Sequence, residues 1–120
     1  MKQRSAEILC IGTEILMGDI INTNAAYIAK ELAGLGINVY HQSVVGDNPQ
    51  RLKESLALAF SRADIVITTG GLGPTYDDLS KETIAAYFNR KLVMDEESLH
   101  AIECHFLRLN RVMTDNNKKQ

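Results

Sequence analysis

The chain has 120 residues, 45% of them hydrophobic and 23% charged, and its formal net charge is −2. That length suits one domain, residues 1–120, with an ordinary apolar core. With no basic block the sequence gives no nucleic-acid footprint, and no apolar run approaches the ~20 residues of a membrane-spanning helix.

At the N-terminus, "MKQRSAEILCIGTEIL" carries an apolar run that is short and broken by Glu14. It does not read as a signal peptide, so the expected location is the cytoplasm. Glu7 to Leu16 is rich in Ile and Leu and predicts a buried strand interrupted at Gly12. Asn22 to Leu35 has apolar residues at Ala25, Ile28, Ala29, Leu32 and Leu35, which is helical spacing. "NTN" supplies N-cap residues before it and "GLG" the glycine stop after it. Ile37 to Val45 predicts a second strand. Asn48-Pro49 opens a second helix, with a capping residue and then proline at the first helical position, running to about Arg62.

"ADIVITT" predicts a third strand, apolar throughout and so expected to be covered on both faces. Asp77 to Phe88 predicts a third helix. "KLVM" reads as a short strand or extended piece. "DEESLHAIECHFLRLN" reads as a fourth helix with acids in its first turn, where the helix dipole favours them. Val112 to Gln120 reads as a frayed end. Cys10 and Cys104 lie far apart, without the paired spacing of a zinc site, and read as buried or half-buried thiols.

Strands alternating with helices imply a parallel sheet with right-handed crossovers. In such sheets the ligand crevice lies beyond the carboxyl ends of the strands. Three loops fall there: "GTEILMGD", "VGDN" and "GGLGPTYDD". Glycine lets a backbone approach a ligand and adopt positive φ. Successive N–H groups in such a loop form an anion-binding concavity, and a following helix N-terminus adds partial positive charge. Gly70, Gly71 and Gly73, with Thr69 and Thr75, are therefore suited to hold a phosphate. The same residues suit a plain strand-to-helix turn, because neither a P-loop nor a dinucleotide fingerprint is present.

The acids add a second signal. Glu14, Asp47, Asp77 and Asp78 are expected at one sheet edge, where carboxylates beside a phosphate need a cation between them. Mg²⁺ and Mn²⁺ take oxygen ligands and bridge carboxylates to phosphates, so the cluster points to metal-assisted chemistry on a phosphate-containing molecule. Asp47 alternatively caps near Asn48-Pro49, and Asp77 or Asp78 alternatively favours the helix start, Asp77 above all. His41, His100 and His105 form no ligand set and read as surface residues. No Ser or Cys has a nucleophile-elbow context, so an activated water is the better candidate nucleophile.

Together, "GTEILMGDIINTNAAYIAKEL", "VVGDNPQRL" and "ITTGGLGPTYDDLSKE" resemble the amino-terminal domain of the CinA family, within the molybdopterin-binding, MogA/MoaB-like superfamily. The resemblance implies a three-layer α/β/α sandwich with a mainly parallel sheet. It implies ADP-ribose pyrophosphatase activity that needs a divalent metal (Mg, Mn or Co), often with potassium. In the MogA branch the equivalent pocket binds molybdopterin for adenylylation, which is the alternative function. A non-catalytic fragment is a third. By motif, Asp47 and Asp78 match the acids of the superfamily pocket and are the implied catalytic residues. Gly70, Gly71 and Gly73 match the phosphate-facing loop, with Thr69, Thr75, Asn22 and Asn24 in the implied nucleotide-binding set. Glu14, Asp47 and Asp78 are the implied metal ligands. Members of that family continue past "NNKKQ" with further strands, so these 120 residues are expected to lack the downstream segment. The implied partner is a small nucleotide, with neither nucleic acid nor membrane, and the implied assembly is a homo-oligomer, dimer or trimer.

Overall fold

The computed structural model describes residues 3–76 and 78–119. Strand β1, Ser5–Ile11, is buried from Ala6 through Ile11. Side chains alternate across a strand, so β1 serves two faces. Ala6, Ile8 and Cys10 pack with Ala25 and Leu32 of helix α2, Thr23–Gly34. On the opposite face Leu9 and Ile11 pack with Leu52 and Leu56 of helix α3, Pro49–Arg62, joined by Ile84 and Tyr87 of helix α4, Ser80–Tyr87. Helices on both faces make the expected three layers.

β1 is the central strand. Strands β2, Asn38–Val45, and β3, Ile65–Thr69, pair with it on either side, both parallel, in the order β2-β1-β3. A register shift between Ala6 and Glu7 separates the first β1–β2 rungs from the rest. β3 was expected to be covered on both faces, yet every residue in it is only half-buried. Among the described strands it has a neighbour on one side alone.

Local signals placed the helix starts of α2 and α3. Asn22 caps α2, its side chain accepting from the Ala25 N–H at 3.3 Å. Asn48 caps α3 in the same way through the Arg51 N–H at 3.0 Å, with Pro49 following. Three other boundaries differ from expectation. The first strand ends at Ile11 rather than Leu16, and Thr13–Leu16 is a helical turn, α1. Gly12 donates the last bond to Val45 at 2.9 Å, after which Leu16 and Met17 bond back to Gly12 and Thr13. α4 begins at Ser80, not at residue 77; Asp77 itself lies outside the described residues. Residues 91–94, expected as a short strand or an extended piece, form no strand among the described residues, which leaves the second of those readings. Past helix α5, Glu96–Arg108, the segment expected to be frayed contains a short helix, α6, Asp115–Lys119.

One buried charge escaped the sequence reading. Glu7 is 1% exposed. Its carboxylate accepts from Arg62 Nε at 2.7 Å and Nη2 at 3.2 Å, and from the Ser43 hydroxyl at 3.1 Å. His41 Nδ1 lies 4.0 Å away. The Arg62 hydrogen bond holds the Glu7 carboxyl below its ordinary value, outweighing burial, which acts the other way. Buried charges persist when paired and hydrogen-bonded. This pair fixes the last turn of α3 to the sheet.

Candidate ligand site at the sheet edge

At the carboxyl end of the sheet the three glycine- and acid-bearing loops meet, and side chains tie them together. Thr13 and Asp47 form a reciprocal clasp between the first and second loops. The Thr13 hydroxyl donates to Asp47 Oδ2 at 3.2 Å and accepts from the Asp47 N–H at 3.1 Å, while the Thr13 N–H donates to Oδ2 at 3.3 Å. Asp47 is thus drawn to Thr13, and the capping role near Asn48-Pro49 is filled by Asn48 itself. Asn24 Nδ2 donates to the Thr69 hydroxyl at 3.4 Å, joining the start of α2 to the end of β3. Asn22 is committed twice, as the α2 cap and as a donor to Cys10 Sγ at 3.1 Å. Its side chain positions the loop.

The glycine loop has a structural explanation before any ligand is considered. Gly70 and Gly71 have φ of +93° and +68°, the left-handed region that glycine tolerates. A Cβ on Gly70 would stand 2.0 Å from the Ile11 carbonyl oxygen, and one on Gly71 2.0 Å from Ser80 Oγ. Ser80 holds the loop from the other side: its hydroxyl donates to the Gly70 carbonyl at 2.8 Å and its N–H to the Gly71 carbonyl at 3.1 Å. At Gly73 a Cβ would lie 2.5 Å from Asp78 Oδ2. Asp78 accepts from both the N–H and the hydroxyl of Thr75, at 3.2 and 2.5 Å. Among the described residues, the N–H groups of Gly71, Leu72 and Gly73 meet no protein acceptor.

Of the expected site residues, the structure thus links Asp47 to the first loop, Asn24 to Thr69, and Thr75 to Asp78. Glu14 stands on α1 with its carboxylate against Gly12, where a Cβ would meet Oε1 at 2.6 Å. Among the described residues no group of three or more His, Cys, Asp and Glu side chains converges to hold a metal ion. Glu14, Asp47 and Asp78 as placed do not fit a preformed cation cage. Thr13 and Ser80, which fasten the loops, were not singled out from the sequence. Their signal was position: a hydroxyl residue directly after a strand-ending glycine, and another at the first helical position beyond the glycine loop.

A doubly wound, parallel three-layer sheet with a glycine-bearing loop at its carboxyl edge defines a class of ligand-binding α/β domains. Within it, residues 7–119 match the family described as "Probable molybdopterin binding domain". A crystal structure of CinA from Thermoplasma acidophilum, a protein described as of unknown function, superposes with a TM-score of 0.84 at 31% identity, over 98% of this chain and 68% of that one. The chain belongs to this molybdopterin-binding domain family and to its CinA members. A relative from Clostridium kluyveri, named as a competence-damage inducible protein, is 65% identical over 116 residues, 96% of this chain. The chain spans 28% of that relative's length. The molybdopterin biosynthesis enzyme MoaB from Thermus thermophilus superposes with a TM-score of 0.66 at 27% identity, over 70% of this chain and 54% of that one.

No described helix is long and apolar enough to cross a membrane.

Proposed function

We propose that this chain binds a phosphate-bearing nucleotide at the sheet edge and that the domain hydrolyses the pyrophosphate of ADP-ribose or a similar molecule. The observation that carries the reading is the run of N–H groups at Gly71, Leu72 and Gly73 that meet no acceptor among the described residues, on a loop fastened by Ser80. Such N–H groups form a concavity for an anion. In the reaction a water oxygen attacks one phosphorus and the bridging oxygen leaves on the other phosphate, giving AMP and ribose phosphate. The loop N–H groups hold phosphate oxygens as charge builds on them. Asp47 and Asp78 border that phosphate, with Thr69, Asn24 and Thr75 lining the approach.

A divalent cation (Mg²⁺, Mn²⁺ or Co²⁺), with potassium beside it, belongs to this proposal. With no preformed cage among the described residues, the cation is expected to arrive with the ligand. A cytoplasmic homo-oligomer, dimer or trimer, is the accompanying expectation.

Likeness to MoaB supports a second reading, in which the same edge takes molybdopterin. Calorimetry and product analysis separate the two. ADP-ribose is added to the chain in chelator and then in Mn²⁺, and molybdopterin with ATP is added separately. Cation-dependent binding of ADP-ribose with release of AMP supports the proposal. Asp78→Asn is expected to weaken that binding or turnover tenfold or more, roughly 1.4 kcal/mol. Equal ADP-ribose affinity with and without cation removes the cation from the reading. Binding of molybdopterin alone overturns it in favour of the second. Binding of ADP-ribose without turnover reduces the function of these residues to ligand capture.

A further inference from the structure

Helix α5 carries chemistry that the sheet edge does not use. His100 and Cys104 are four residues apart in "HAIEC", so their side chains share one side of the helix. Cys104 Sγ stands 3.6 Å from His100 Nε2. The imidazole is exposed and the thiol half-buried, and α5 buries no residue, so the pair is open to solvent.

That separation matches a metal chelate. In a tetrahedral zinc site, sulfur at about 2.3 Å and nitrogen at about 2.05 Å subtend roughly 109° at the ion, which sets the sulfur–nitrogen edge at about 3.5 Å, close to the observed separation. Thiolate and imidazole together favour zinc-like ions over magnesium or calcium. We propose that His100 and Cys104 form a two-ligand chelate for a borderline divalent cation such as Zn²⁺, leaving the remaining coordination positions to water or an external ligand. Binding forms an Sγ–metal and an Nε2–metal bond. It releases the thiol proton to solvent and leaves the imidazole proton on Nδ1. The site shares no residue with the sheet edge and stands or falls independently of the phosphate reading.

The molecule contains its own controls. Cys10 is fully buried and in contact with Asn22, so Cys104 is the thiol within reach of added metal. His105, on the same helix, lies edge-on to Phe106. Co²⁺ is the probe, because a thiolate–cobalt bond gives a near-ultraviolet charge-transfer absorption. The reduced, metal-stripped 120-residue chain is titrated with Co²⁺, and Zn²⁺ is then added to displace it. The band is expected at one metal per chain and to bleach with Zn²⁺. Cys104→Ser should abolish it, His100→Ala should weaken Co²⁺ affinity tenfold or more, and His105→Ala should leave it unchanged. Circular dichroism establishes that each variant keeps its helix content. Absence of the band at saturating Co²⁺, its survival in Cys104→Ser, or an undiminished affinity in His100→Ala overturns the proposal.

Discussion

α3 and α5 are nearly the same length, 14 and 13 residues, and both carry apolar residues at helical spacing. Their fates differ. α3 buries Leu52, Leu56 and Ala59 against the sheet, and its last turn is fastened by the Arg62–Glu7 pair. α5 buries nothing, and its apolar side leaves a cavity of about 460 Å³, lined by Leu92, Met94, Leu99 and Ile102 among others. The comparison separates two things that periodicity confounds. An apolar stripe makes a helix amphipathic, but burial depends on whether another element lies within reach. Helix stability in a folded domain comes mostly from that packing.

The strongest way to break the comparison is a matched pair of truncations. Leu56 is 1% exposed, so Leu56→Ala is expected to cost about 2–5 kcal/mol through lost burial and the cavity left behind. Ile102→Ala on α5 should cost less than about 1 kcal/mol. Urea unfolding of the two variants measures the gap, and equal losses would mean that α5 is as much a part of the core as α3.

A second, somewhat smaller effect sharpens the role of the α3 terminus. Arg62→Ala strands the buried Glu7 carboxylate with only Ser43 and the more distant His41 near it. Removing one partner of a buried pair is destabilising because the other charge is left uncompensated; Arg62 is itself 31% exposed, so solvent screens part of the loss. The pH dependence carries the sign. Glu7 has its carboxyl lowered in the folded state from an ordinary 4.5. Its contribution is therefore fully present above about that pH and is lost as pH falls through the lower, folded value. Acid unfolding should show this loss in the parent chain. In Arg62→Ala, where burial acts without the arginine, the same limb should flatten or reverse. An unchanged acid limb would show that the pair does not couple α3 to the sheet.

The smallest effect concerns the loops. Asn24→Ala removes one partly exposed hydrogen bond to Thr69 and should cost about 1 kcal/mol or less in stability. Its effect on ligand affinity, read by calorimetry with ADP-ribose and Mn²⁺, should exceed that, because the bond joins two edges of the proposed site. A variant that loses stability but binds normally would assign Asn24 to the scaffold alone.

Much of this was legible because the relevant signals are local. Asn22 and Asn48 sit within three residues of the N–H groups they cap, and Pro49 fixes its own φ. The apolar runs in β1 and β3 needed no knowledge of their partners to be read as strands. Other boundaries were misplaced where a distant contact overrode the local pattern. The Ile-rich run through Leu16 reads as one strand, but Thr13 is captured by Asp47, 34 residues away, and the chain turns into α1. His100 and Cys104 are an i, i+4 pair in the sequence, but neither the three histidines nor the two cysteines form a ligand set on their own, and the pairing shows only when the two residue types are taken together.

By itself, the sequence determined the alternation of strands and helices, the caps that start α2 and α3, and the placement of the glycine- and acid-bearing loops at one sheet edge. Periodicity, capping and chain connectivity are set by neighbours along the backbone. Tertiary structure alone decided that Glu7 is buried against Arg62, 55 residues away, and that Gly70 and Gly71 are required first by Ile11 and Ser80. It also decided that one cysteine is sealed in the core while the other stands beside an imidazole. Those facts depend on strand register and helix docking, which bring together side chains that no short window of sequence contains.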